Sequence, residues 1–404
     1  MKRNIKVIAC ILSAVLLFSA CTSPGSQESN NNNTPAKTDE NENQSNLDAI
    51  QPAAYGNVDG LDLEPGSYIS LIGRSGSGEF WKALERGAQQ AIDDINENLG
   101  YTGDDKVKMT YSAPSTKDSV DEQVNILDEE LALYPDAVAI AIVDSKACEV
   151  QFDLAAENDI PIIAFESVSE YEAIQSMIST NDTDSAKTAA SKLCNAIDER
   201  GEVLLFVHDS HSAAATERAN SFSEQIENEH PDVTLTNVYY LDQLDEIRQQ
   251  VAGARNSDAQ STLPAGDVED PPAPAPEPQT ELAEADDITD EEVFQYILEQ
   301  NPNAKGCLTT DGDTTQTVLA AVQAAAKSSF QIVGFEDGTE QLESLENGDL
   351  AGLIIANPYG MGYAAIIAAA RADLGLGNEA VVDSGYMWVD QDNLDAKSTK
   401  NFLY

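Results

Sequence analysis

"AVAIAIV", residues 137–143, contains no polar residue. A strand with one wet face alternates apolar and polar side chains. An unbroken apolar run reads instead as a strand covered on both faces, as in a parallel sheet packed between helices. The segments around it agree. Upstream lie "YISLIG" (68–73), the helically spaced "EFWKALERGAQQAIDDINENL" (79–99), the strand "KVKMTYSA" (106–113) and a helix over 117–133 containing Val120, Val124, Leu127 and Leu131. Downstream come a helix over 147–157 and the strand "PIIAFES" (161–167). Alternating β and α units of this kind give a parallel sheet with helices on both faces.

The alternation restarts after "MISTND" (177–182). Helices are expected over 183–199, 214–229, 244–253, 290–300, 313–327, 338–346 and 359–374. Strands are expected at "EVLLFV" (202–207), "VTLTNVYY" (233–240), "GCLTT" (306–310), "QIVGFE" (331–336), "LAGLIIA" (350–356) and "YMWVD" (386–390). The fold class is α/β, with two doubly wound parallel-sheet lobes. Residues 256–287 interrupt the pattern. They contain no Lys or Arg, their Pro-Ala repeats favour extended backbone, and their carboxylates repel one another. They read as an acidic surface insertion, either a solvated spacer or a partner-binding arm.

The 404 residues carry 71 Asp and Glu against 22 Lys and Arg, a formal net charge of −49. Such a surface repels phosphate backbones, which argues against nucleic-acid binding. The N-terminus sets the compartment. "MKRNIK" is basic, and "VIACILSAVLLF" (7–18) is an apolar stretch of signal-peptide length, too short to span a bilayer. It runs into "FSAC" (18–21), a small residue before a cysteine. The polar, low-complexity "TSPGSQESNNNNTPAKTDENENQSN" (22–46) follows. Such a segment buries too little apolar surface to order itself, so 21–66 is expected to be a disordered tether. Cys148, Cys194 and Cys307 are widely spaced, with neither a disulfide framework nor metal-ligand spacing. They are expected to be partly buried thiols, with one disulfide between two of them open. No cofactor and no metal are expected.

"FSAC" resembles the lipobox of bacterial lipoproteins, which implies a signal peptide at 1–20 and lipidation of Cys21. Further along, "FW" after the first strand, "IPIIAFES" (160–167), "ISTND" (178–182), "QIVGFEDG" (331–338) and "IIANPYGMGY" (354–363) together resemble the type I periplasmic binding proteins. The ribose-binding-like branch is nearest, and LacI-type repressor sensor domains share its fold. The resemblance implies a three-segment hinge, with crossings near Asp182, Asn357 and Ser384. It gives an N-lobe of 67–181 plus 357–384, a C-lobe of 182–356 plus 385–404, and a ligand cleft at the carboxyl ends of the strands. A repressor is excluded by the signal peptide and by the lack of a helix-turn-helix before Ser67.

The resemblance also nominates residues. Phe80 and Trp81 match the aromatic pair that opens the family's first helix and walls its cleft. Trp81 is the expected ligand face, and Phe80 has core packing as its alternative. Glu166 stands where similar proteins have Asp followed by Arg, but here the next residue is Ser167. Arg218 follows Thr216, which replaces a ligand-binding Arg, and Arg218 serves either the cleft or Glu217. Asp311 and Glu336 follow strands at positions where carboxylates or amides accept bonds from sugar hydroxyls, with helix capping as the alternative. Ala356 replaces a frequent Gln, and Asn357-Pro358 suits a hinge and helix start. Three carboxylates in one cleft would raise one another's pKa. Lys82, Arg218, Arg74, protonation or a cationic ligand could relieve the repulsion.

The expected function is a solute-binding lipoprotein, extracytoplasmic and anchored to the cell membrane. It would capture a small polar ligand, a sugar, for an ABC permease, and a monomer is expected. The alternatives are a ligand-presenting receptor for a sensor kinase or chemoreceptor, and a binder of a cationic or amino-sugar ligand. An enzyme is not expected: "HDSH" (208–211) has no helical i, i+4 pairing and no supporting cluster. His208 and Asp209 do end a C-lobe strand, within reach of a ligand.

Overall fold

The computed structural model describes residues 43–167, 169, 171–261, 283–336 and 338–404. The expected signal peptide, Cys21, tether residues 22–42 and insertion residues 262–282 lie outside the described residues.

The first lobe forms from α1 (Gln44–Asp48), β1 (Tyr68–Ile72), α2 (Glu79–Leu99), β2 (Lys108–Ser112), α3 (Val120–Leu131), β3 (Ala137–Ile140), α4 (Glu149–Glu157), β4 (Ile162–Phe165) and β5 (Ile174–Ser179). The chain then builds the second lobe through α5 (Asp182–Ala196), β6 (Gly201–Val207), α6 (Ala213–Glu229), β7 (Val233–Tyr240) and α7 (Asp245–Ser261). It continues with α8 (Asp290–Gln300), β8 (Ala304–Thr309), α9 (Gly312–Ala324), β9 (Gln331–Phe335), α10 (Thr339–Asn347) and β10 (Gly352–Ala356). It returns through α11 (Pro358–Asp373), β11 (Val381–Asp383), β12 (Tyr386–Val389) and α12 (Lys397–Phe402). The sheets have matching orders, β11-β5-β4-β3-β1-β2 and β12-β10-β9-β8-β6-β7. Among the described residues, all pairings between these strands are parallel except β10 with β12. The apolar run at 137–143 places β3 inside its sheet, between β1 and β4, fully buried.

Among the described residues the chain crosses between the sheets three times: after β5, at Asn357, and between β11 and β12. Asn357 is fully buried. Its Oδ1 accepts from Gly360 N at 2.9 Å and so caps α11. Its Nδ2 donates to Ser384 O and to Asn46 O, each at 2.7 Å. One side chain thus ties the second crossing to the third and to α1. From Pro358 to Ala370 every residue of α11 is buried. It packs on α2 at glycine contacts: a Cβ on Gly87 would stand 1.9 Å from Tyr359 O, and one on Gly362 would stand 2.0 Å from Leu84 O.

Two expectations are corrected here. The tether does not extend to residue 66. Leu47, Ile50, Tyr55, Leu61 and Leu63 are buried in the first lobe's core, and Gln51 pairs with Asp383 as an antiparallel bridge at the third crossing. The segment is polar on average, but these five large apolar side chains find the core. The acidic insertion also starts later than 256, because α7 runs to Ser261 and Asn256 bonds to the backbone of Ala283 at 2.9–3.0 Å. Cys148, Cys194 and Cys307 are free and buried.

Candidate ligand-binding site

Between the lobes lies a cavity of about 500 Å³, within the usual range of small-molecule sites. Loops and residues at the carboxyl ends of β1, β4, β5, β9 and β10 line it.

Glu166 and Glu336 sit at equivalent places in the two lobes. Each is the first residue after its strand, β4 or β9. Each N–H bonds the neighbouring strand, Glu166 to Ile178 O at 2.9 Å and Glu336 to Ile354 O at 2.8 Å. Each has a left-handed backbone, with φ of 64° and 71°, a conformation that costs a non-glycine residue roughly 1–2 kcal/mol. The turn aims both side chains at the cavity, which both residues line.

The surroundings of the two differ. Arg74, in the loop after β1, donates from Nη1 to Glu166 at 3.0 Å and from Nε to Asp118 at 2.7 Å. Burial alone would lower the pKa of this guanidinium, but the two carboxylates outweigh it and hold the group above its ordinary value. In the second lobe, Arg218 donates from Nε to Asp182 at 2.6 Å and from Nη1 to Thr310 O at 2.7 Å. Its guanidinium lies 4.3 Å over the Phe335 ring. Burial pushes Asp182 up by more than Arg218 pulls it down. Glu336 is an exposed residue that opens onto the cavity. Desolvation pushes its carboxyl above the ordinary value, Asp311 adds to this, and Arg218 only partly offsets them.

The aromatic pair is divided in a different way from the expectation. Trp81, 8 % exposed, belongs to the first lobe's core although it also lines the cavity. Phe80 is the more open of the two. Its ring lies 5.2 Å from Trp81 and 5.6 Å from Tyr404 of the second lobe, edge-on to both.

Phe80, Trp81, Glu166, Arg218 and Glu336 therefore line one cavity. Asp311 stands behind Glu336 and caps α9 by accepting from Thr314 N at 3.0 Å. Lys82 pairs with Glu79 at 2.7 Å on an exposed surface, so of the three cations considered, Arg74 and Arg218 are the ones that meet the cleft carboxylates. His208 bonds Thr310 at 2.8 Å and does not line the cavity. Lys117, Asp118, Asp182, Phe335 and Tyr404 line it without having been nominated. Asp182 carried a usable signal, since it sits at the expected crossing beside a helix start. A second cavity, about 570 Å³, shares Glu166, Ser179, Thr180 and Asp182 and is otherwise lined in part by Gln51, Asn181, Glu217 and Asp383.

Two α/β lobes on a three-crossing hinge, with a polar cavity between them, define a two-lobe binding protein. The chain belongs to the family described as periplasmic binding protein domain, whose model matches residues 69–267 and 274–375. It is a binding protein of the extracytoplasmic compartment, not an enzyme. Solved structures share the fold. The sugar-binding protein of a sugar ABC transporter from Bacillus halodurans is 20 % identical with a TM-score of 0.62, over 82 % of this chain and 99 % of that one. AraP, an arabinose-binding protein from Geobacillus stearothermophilus, is 20 % identical with a TM-score of 0.62, over 82 % and 98 %. A carbohydrate transporter solute-binding protein from Agrobacterium radiobacter, in complex with D-arabinose, is 22 % identical with a TM-score of 0.58, over 84 % and 99 %. Among curated protein sequences there is no match.

Proposed function

We propose that the protein captures a small sugar outside the cytoplasm and delivers it to an ABC permease, held at the membrane by a lipid on Cys21. The make-up of the cavity wall supports this. Phe80 and Trp81 from one lobe and Phe335 and Tyr404 from the other alternate with Arg74, Arg218, Glu166 and Glu336. A sugar ring presents apolar C–H faces to aromatic rings and hydroxyls at its rim to ionised donors and acceptors. The names of the structural neighbours, one of them holding D-arabinose, support the same class of ligand.

Thermal-shift and calorimetric titration with a panel of neutral pentoses and hexoses test the reading. A ligand that binds only the folded state raises the melting temperature. Saturable binding of at least one neutral sugar is expected, and Phe80→Ala is expected to weaken it about tenfold. A panel with no binder overturns the reading. For the anchor, radiolabelled palmitate is expected to label the wild-type chain and not Cys21→Ser.

An amino sugar is the second reading. Five carboxylates line the cavity against Arg74, Lys117 and Arg218, and Glu336 has no ion-pair partner of its own among the described residues. Affinity for amino sugars that falls steeply with salt, together with silence toward neutral sugars, would select it.

A further inference from the structure

We propose that Tyr404 is a closing residue of the cleft: carried by the second lobe, it latches onto Phe80 of the first and holds the lobes together over the ligand. The proposal rests on the cleft being the ligand site.

The chain after β12 is built to deliver this ring. Asp390 turns it by accepting from Trp388 Nε1 at 2.7 Å and from the backbone of Asp392 at 3.1 Å. In α12, Phe402 is buried in the second lobe's core, and Leu403 and Tyr404 pack against the same core. Packing of Phe402, Leu403 and Tyr404 thus fixes the tail to the second lobe while the Tyr404 ring lines the cavity. The helix also touches α1 of the first lobe, but at the hinge, where α1 is bonded to Asn357.

On the facing side Phe80 is equally fixed. It is the second residue of α2, and its ring stands edge-on to Trp81, which is anchored in the first lobe's core. The three rings Trp81, Phe80 and Tyr404 make a continuous edge-to-face chain from one core to the other. Aromatic pairs hold this geometry specifically. The bonds of Asn357 lie at the hinge, where opening needs only small changes of angle. The Phe80–Tyr404 contact lies across the cleft, where opening must separate the rings. It is therefore a contact that distinguishes the closed arrangement from the open one, and only such contacts shift that equilibrium.

Single-molecule energy transfer between dyes on Asp93→Cys and Glu224→Cys, exposed positions on opposite lobes, tests the latch without any ligand. A closed population is expected in the otherwise wild-type protein and in Tyr404→Phe. Tyr404→Ala and Phe80→Ala are each expected to lower the closed-to-open ratio by about threefold to tenfold. The double variant should go no further than either single one, because both break the same contact. Melting temperatures should stay close to wild type, since both rings are only half-buried. An unchanged ratio in Tyr404→Ala, additive single effects, or no closed population in the wild type overturns the proposal. With D-arabinose as the probe, dissociation from Tyr404→Ala should be faster by a similar factor, with association little changed. If D-arabinose does not bind the wild type, that arm reports on the ligand class, and the ligand-free populations still decide the latch.

Discussion

Glu166 and Glu336 are one residue type at one backbone position, placed in two lobes of the same topology. Both follow the third strand from the matching sheet edge, both are strained into the left-handed region, and both face the same cavity. Their neighbours make them different. Glu166 is held by Arg74, which Asp118 holds in turn. Glu336 has Asp311 behind it, and the nearest guanidinium, Arg218, is engaged by Asp182 and Thr310. Topology supplies a carboxylate on each wall, and the local cation decides whether its charge is already answered. On the first wall Glu166 is already paired before a ligand arrives. The second keeps acceptor capacity that a ligand's donors can satisfy.

Removing each arginine is the strongest way to break this contrast. Arg218→Ala should have the largest effect, because the side chains of Arg218 and Asp182 are only 16 % and 14 % exposed. Removing one partner strands a nearly buried carboxylate, so urea unfolding should show a loss of about 3 kcal/mol. Ligand affinity should fall roughly a hundredfold, since Asp182, Phe335 and Glu336 all lose their shared neighbour. Unchanged stability would mean that this guanidinium does not organise the second wall.

Arg74→Ala should do less. Its partners Asp118 and Glu166 are 37 % and 30 % exposed, and water replaces much of what they lose. About 1 kcal/mol of stability and roughly tenfold in affinity are expected from the same two measurements. If Arg74→Ala proved the more damaging variant, the roles assigned to the two walls would be reversed.

Glu336→Gln sharpens the contrast through pH. The folded-state pKa of Glu336 lies above its ordinary value of 4.5. In the window from 4.5 up to the raised value the folded state holds a proton that the unfolded state has released. The group's stabilising contribution is therefore full below 4.5 and lost as pH rises through the folded value. Because Glu336 is exposed and partly screened by water, the variant should melt only slightly higher than wild type at pH 7 and match it at pH 4. Part of the pH slope should remain, because Asp182 and Asp383 are also pushed up by burial. Identical melting curves at pH 7 would show that Glu336 carries no uncompensated charge.

Much of this was legible in the sequence, for identifiable reasons. Both sheets announce themselves because strands covered on two faces favour unbroken apolar runs, as at 137–143 and 203–207. Asn357-Pro358 signals the hinge because a cap and a proline at a helix start leave a local pattern. The segment 43–66 leaves none: Leu47, Ile50, Tyr55, Leu61 and Leu63 follow no period, and their burial depends on a core made elsewhere in the chain. Asp118 and Tyr404 are silent for the same reason, since a loop and a tail bring them to the cleft. Phe80 and Trp81 were legible as a pair but not in their division, which depends on how α2 meets α11.

Glycine at the two strained positions should give the smallest change in stability. A left-handed backbone costs glutamate about 1 kcal/mol or slightly more, while glycine avoids that strain but loses roughly 0.5–1 kcal/mol more conformational entropy on folding. The backbone terms nearly cancel, so the side chains decide the sign. Glu166→Gly also gives up its ion pair with Arg74, a partly exposed contact of about 0.5 kcal/mol, and should melt slightly below wild type. Glu336→Gly removes a charge that the fold does not answer, and should melt at or above wild type at pH 7. Both should bind ligand at least tenfold more weakly, since each deletes an acceptor from the cavity. Strain retained at no benefit to stability, at matching places in both lobes, is what a binding role for these carboxylates requires. A large fall in melting temperature with affinity intact, at either position, would instead make that glutamate a structural residue that happens to face the cleft.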